Sequence, residues 1–138
     1  MSDQISGLIA VQYFLDQSGN LTTATPVDLD IVPGPYHQNF VMPQDGCLRA
    51  IISQIETTPA GSNPDLVTDL TIGGTEQEAS CAIAIGATKA TATFANGEHN
   101  IDKDDVVGAS IEMTGGTIND AVDEVSVILI IQLGRSNI

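Results

Sequence analysis

Apolar residues in this chain either alternate with polar ones or gather in short β-branched runs, each closed by Gly, Pro, Asn or Asp, and no helical period of useful length interrupts them. Turn chemistry recurs at Gly19-Asn20, Pro33-Gly34-Pro35, Gln44-Asp45-Gly46, Gly61-Ser62-Asn63-Pro64, Gly73-Gly74, Asn96-Gly97 and Gly115-Gly116, where Gly and Asn accept positive φ and Pro fixes the approach. Between these points the pattern predicts strands over Ile5–Leu15, Val27–Val32, Asn39–Met42, Cys47–Ile55, Leu66–Ile72, Ser80–Ile85, Lys89–Phe94, Val106–Met113 and Val122–Leu133. Helix is confined at most to a turn within the acidic stretch Thr75–Ala79 or around Asn119–Ala121. Short strands at this spacing predict an all-β antiparallel sandwich or jelly roll, with a single closed barrel as the structural alternative. A length of 138 residues suits one domain. Within it, residues 1–36 read as an N-terminal arm or added strand region, and residues 37–138 as the sandwich proper.

The strands differ in how many faces they offer to water. In Leu66–Ile72, Leu66, Leu70 and Ile72 share one parity while Val67, Asp69 and Thr71 share the other, which predicts a strand with one wet face. The last run is apolar on both parities: Val125, Val127, Leu129, Ile131 and Leu133 on one, Val122, Ile128 and Ile130 on the other. A sandwich of this size buries one face of each sheet, so the second face of Val127–Ile131 needs a cover. Each exposed Ile forgoes roughly 1.5 to 3 kcal/mol of burial. The cover is either a partner subunit or the N-terminal segment Gly7–Leu15 folded back.

Four basic residues (Arg49, Lys89, Lys103, Arg135) against eighteen acidic ones give a formal net charge of -14. That charge repels a phosphate backbone, so nucleic acid is not an expected partner. Anionic membrane surfaces are disfavoured for the same reason, and no run reaches the ~18 to 20 apolar residues of a membrane helix. The opening residues lack the basic start and long apolar stretch of a secretory signal, so synthesis in a cytoplasm is expected. Three Phe, two Tyr and no Trp mean that the core is aliphatic. Cys47 and Cys81 have no second Cys or His nearby and read as buried free thiols.

Catalytic equipment is not expected. No nucleophile elbow, P-loop or dinucleotide fingerprint occurs, and His37 and His99 stand apart from each other, too few for the metal sites of double-sheet oxidases. No cofactor is implied. Asp102, Asp104 and Asp105 are weak Ca²⁺ candidates because their run lacks the Gly and closing Glu of an EF-hand loop, and a solvated turn is the plainer reading. Asp120, Asp123 and Glu124 form a second acidic cluster of the same kind.

From Phe40 onward the chain resembles the small jelly-roll virion proteins of tailed bacteriophages, seen as capsid decoration (cement) proteins and as fibre or knob domains. The residues are F-V-M-P-Q-D-G-C-L-R-A-I-I-S-Q-I at 40–55, V-T-D-L-T-I-G-G at 67–74, D-D-V-V-G-A-S-I at 104–111 and V-S-V-I-L-I-I-Q-L at 125–133. Tumour-necrosis-factor-like and complement-like trimers show similar patterns. Where that family reads G-D before the V-V pair, this chain has Asp104 ahead of Asp105, a departure at a turn. The resemblance implies a jelly roll of tumour-necrosis-factor-like topology, assembled as a homotrimer with Val127, Ile128, Leu129, Ile130 and Ile131 at the threefold axis. It also implies that the N-terminal part, through Ile5, Leu8, Tyr13 and Phe14, contacts the major capsid protein of a phage shell. The expected role is that of a non-enzymatic structural protein on the virion surface. The alternative is a fibre or receptor- and glycan-binding module reading ligands through Gly61–Asp65 and Ala95–Asn100, which the scarcity of aromatic side chains disfavours.

Overall fold

The computed structural model describes residues 7–14, 27–29, 31, 40–55, 65–84, 86–113 and 125–134. These residues contain no helix. Their strands are β1 (Gly7–Phe14), β2 (Val27–Asp28), β3 (Phe40–Val41), β4 (Gly46–Gln54), β5 (Leu66–Ile72), β6 (Thr75–Ile83), β7 (Lys89–Thr93), β8 (Asn100–Ile101), β9 (Val106–Met113) and β10 (Ser126–Leu133). They form two antiparallel sheets, as expected for a sandwich and unlike one closed barrel. Sheet A has the order β1-β10-β4-β7, with β8 also on β4; sheet B has the order β2-β9-β5-β6, with β3 also on β9. The partners are nested: β1 with β10, β2 and β3 with β9, β4 with β7 and β8, and β5 with β6. Apart from the β5–β6 hairpin and the breaks within β2–β3 and β7–β8, every connection therefore passes from one sheet to the other.

Alternating residues of both sheets meet in one aliphatic core that includes Leu48, Ile51, Leu66, Leu70, Ile83, Ile111, Val127, Leu129 and Ile131. Polar links also cross it. The Tyr13 hydroxyl of β1 donates to the Val107 carbonyl of β9 at 2.6 Å, and the Ser53 hydroxyl of β4 donates to Thr68 Oγ1 of β5 at 3.0 Å. In an aliphatic interior such groups stay only because they satisfy each other. Cys81, the register partner of Thr68, shares this inner layer, and burial pushes its thiol above its usual range. Both cysteines are buried and free. Gly46 permits close strand approach: a Cβ there would run into the Gln132 carbonyl oxygen and lie 3.0 Å from Met42 Cε.

Several expectations change. Thr75–Ala79 is not a helical turn but the start of β6, because Gly73 and Gly74, at φ 60° and 82°, form a two-residue hairpin that returns the chain directly as a strand. The wet face expected for β5 is largely shut: Asp69 and Thr71 are 9% and 4% exposed. β5 lies between β9 and β6, whose side chains close over it. Within residues 1–36, β1 and β2 belong to the two sheets, and Tyr13 and Leu29 to the core. The segment Gly7–Phe14 pairs edge to edge with β10 and does not fold over its face. The turn expected at Asn119–Ala121 lies outside the described residues.

Candidate functional site

The strands of sheet A contain no Asp or Glu, and hold Arg49 and Lys89. Those of sheet B hold Asp28, Asp69, Glu76, Glu78 and Glu112, and no Lys or Arg. In a chain of net charge -14, one whole sheet is free of carboxylates.

The register sets the outer face of sheet A. Val127, Leu129 and Ile131 are fully buried in the core and cannot belong to an outer interface, which corrects the expectation for those three. Their alternates, Ile128 and Ile130, point the other way and are partly buried. Across the sheet, Gln12, Ile128, Ile52 and Thr91 form one row, and Ala10, Ile130, Ala50 and Thr93 the next. Leu8, 65% exposed, sits opposite Gln132 at one end, and Phe14 opposite Ser126 at the other. Between Ile130 and Ile131 the register with β4 slips by one residue, leaving Arg49 as the bulge. Its guanidinium donates to the Phe94 carbonyl at 3.1 Å and to Gln132 Oε1 at 2.6 Å. The face is thus an apolar centre rimmed by amides, hydroxyls and two cations.

Of the residues expected to touch a capsid, Leu8 and Phe14 lie on this face, whereas Tyr13 is fully buried with its hydroxyl committed to Val107. That corrects the expectation for Tyr13: its odd parity turns it inward. Ile5 lies outside the described residues.

On the outer side of sheet B, carboxylate oxygens of Asp69, Glu76 and Glu112 all lie within 4.8 Å of one another. Three strands supply them. Asp69 is directly opposite Ser80 and Ser110, Glu76 opposite Thr71, and Glu112 opposite Val67. The Ser110 hydroxyl donates to Glu76 Oε1 at 3.2 Å. Burial, then the charges of Glu76 and Glu112, push the Asp69 carboxyl up to about 6. At this spacing two ions repel by roughly 3 kcal/mol for an effective dielectric near 20, but by less than about 1 kcal/mol in water, so closing the face over Asp69 makes the arrangement matter. This trio was not expected from the sequence. A hint lies in the hairpin, which returns Glu76 to β5, but Glu112 joins only once β9 is known to pair with β5.

Asp102, Asp104 and Asp105 do not form such a group. They build a turn: the Asp105 amide donates to the Asp102 carbonyl at 3.1 Å, and Asp105 Oδ2 accepts from the Asp102 amide at 2.9 Å. Asp104 takes φ 72° and its amide donates to the Met42 carbonyl. The cluster Asp120, Asp123 and Glu124 lies outside the described residues, as does His37. His99 meets the Phe94 ring edge to face at 4.8 Å.

No protein-family model, curated protein or solved structure matches this chain.

Proposed function

We propose that this protein is a non-enzymatic structural component of a phage virion, a jelly roll that decorates and stabilises the capsid as a homotrimer. The observation that carries the reading is the outer face of sheet A, apolar at Ile52, Ile128 and Ile130 and without a carboxylate in a strongly acidic chain. Like-charged copies can approach closely only where their charge is absent, and burying apolar side chains there supplies the driving force. Ile52, Ile128 and Ile130 face the threefold axis. Leu8 and Phe14, on β1 at the rim of the same sheet, are the contacts left for the major capsid protein.

The nested strand order supports the jelly-roll reading, because first-with-last pairing repeated inward is two interlocked Greek keys. The acidic sheet B then faces solvent and keeps particles apart over the ~8 Å reach of charge at physiological salt. Sedimentation of the purified full chain should give three copies per particle, and the protein should bind phage heads that lack it. A monomer indifferent to heads overturns the proposal, and binding to host cells in place of heads moves it to a fibre tip.

A further inference from the structure

We propose that β1 is an assembly edge, pairing antiparallel with β1 of a second copy of this chain about a twofold axis at Val11. This goes beyond the trimer reading and uses a different surface, the rim of sheet A and not its outer face. It stands first on a comparison of the sheet edges. β1 closes one side of sheet A and, among the described residues, pairs with β10 alone. An edge strand carries a row of backbone donors and acceptors with no strand beside them, and proteins guard such rows with charges, brevity, bulges or proline. Every other edge among the described residues is guarded: β6 presents Glu76 and Glu78, β7 presents Lys89, and β2, β3 and β8 are two residues long. β1 runs for eight residues with no charged residue, no proline and no shift in its register with β10.

The second observation is that the core lies open at this edge. Ile9 and Val11 share the inward parity of Tyr13 yet are only half-buried, whereas the inward residues Ala79, Cys81 and Ile83 of β6, the long edge of sheet B, are at most 3% exposed. A strand laid along β1 removes Ile9 and Val11 from water. The residues of β1 select a second copy as that strand. Directly opposite residues of an antiparallel pair share a face, so a twofold at Val11 sets Leu8 opposite the partner's Phe14, Ile9 opposite the partner's Tyr13 and Ala10 opposite the partner's Gln12. A twofold at Ala10 instead sets Leu8 against Gln12 and Gly7 against Tyr13, a poorer match. In a chain of net charge -14, this strand also brings two copies together without setting carboxylate against carboxylate. Leu8 and Phe14 stay on the outer face of the enlarged sheet.

One strand pair buries less than the ~1,200 Å² of a stable complex, so the pairing is weak in dilute solution. Sedimentation of the full chain should show the dilute mass doubling as concentration rises toward about 1 mM. Val11→Lys, whose stem keeps its packing while its charge meets a like charge across the axis, should abolish the doubling and leave the dilute mass unchanged. Val11→Cys faces itself across the axis and should give a disulfide-linked dimer under oxidised glutathione. Leu8→Cys, more exposed but opposite the partner's Phe14, should link roughly tenfold more slowly, and the parent, with Cys47 and Cys81 buried, should not link. Doubling from three copies to six supports both this pairing and the trimer, and doubling from one to two supports the pairing alone. A mass that stays constant, or Leu8→Cys linking as fast as Val11→Cys, overturns the pairing.

Discussion

Sheet A and sheet B are built alike, each from five antiparallel strands, and they share one core; their outward faces have opposite chemistry. Sheet A exposes Ile, Ala, Thr and Gln with Arg49 and Lys89, while sheet B gathers Asp28, Asp69, Glu76, Glu78 and Glu112. Core packing cannot account for this difference, because the inner faces are equally apolar. It belongs to what lies outside each sheet: on the proposed reading, other copies of the chain on one side, and solvent on the other.

The largest expected effect comes from breaking that contrast. Ile130→Asp puts a carboxylate in the middle of the acid-free face, next to Ala10 and Ala50, without entering the core. Light scattering should then show monomers in place of the proposed trimers, while circular dichroism stays that of a β protein. Glu78→Ala, an exposed change on sheet B, should leave the assembly intact. If Ile130→Asp remains trimeric, sheet A is not the interface. The next effect concerns the tie between sheets. Tyr13→Phe removes the hydroxyl that bonds the Val107 carbonyl, leaving a buried acceptor short of a donor, and should lower unfolding free energy by about 1–3 kcal/mol in urea titration.

Much of this architecture is legible in the chain, and where it is not the reason is register. Leu66–Ile72 and Val106–Met113 are delimited to the residue by apolar spacing and flanking turns, since those strands are central and their local pattern agrees with their packing. β6 is mis-read over Thr75–Ala79 because its outer positions carry Glu76 and Glu78, and two carboxylates near a Gly-Gly pair look like a helix start when no pairing is in view. The short β8 carries too little pattern to be seen. Parity separates Ile128 and Ile130 from Val127, Leu129 and Ile131, but only the structure shows which set the core takes. The acidic trio is invisible for a stronger reason: Glu112 lies far from Asp69 along the chain and meets it through the antiparallel alignment of β9 with β5.

A smaller effect sharpens the contrast through pH. Sheet A has no carboxylate to titrate, whereas Asp69 on sheet B is raised to about 6 in the folded protein from an ordinary value of 3.8. Between those values the folded chain holds a proton that the unfolded chain has released, so the contribution of Asp69 favours folding below about pH 4 and is lost as pH rises through about 6. With a chelator present, the urea midpoint should fall more between pH 4.5 and 7 in the parent than in Asp69→Asn. Equal falls would show that closure over Asp69 does not alter its titration.

The smallest expected effect lies at the turn leading into β9. Asp104 adopts φ 72°, a left-handed conformation that costs an L residue roughly 1 kcal/mol more than glycine. The Asp105 amide still closes on the Asp102 carbonyl, and Asp105 Oδ2 on the Asp102 amide, so the turn is held by groups other than the Asp104 side chain. Gly at 104 relieves the backbone but also enlarges the freedom of the unfolded chain, which offsets part of the gain. The net expectation for Asp104→Gly is a stabilisation of about 0.5 kcal/mol, read as a small rise in urea midpoint with no change in assembly. A fall would mean that the Asp104 carboxylate itself supports the turn.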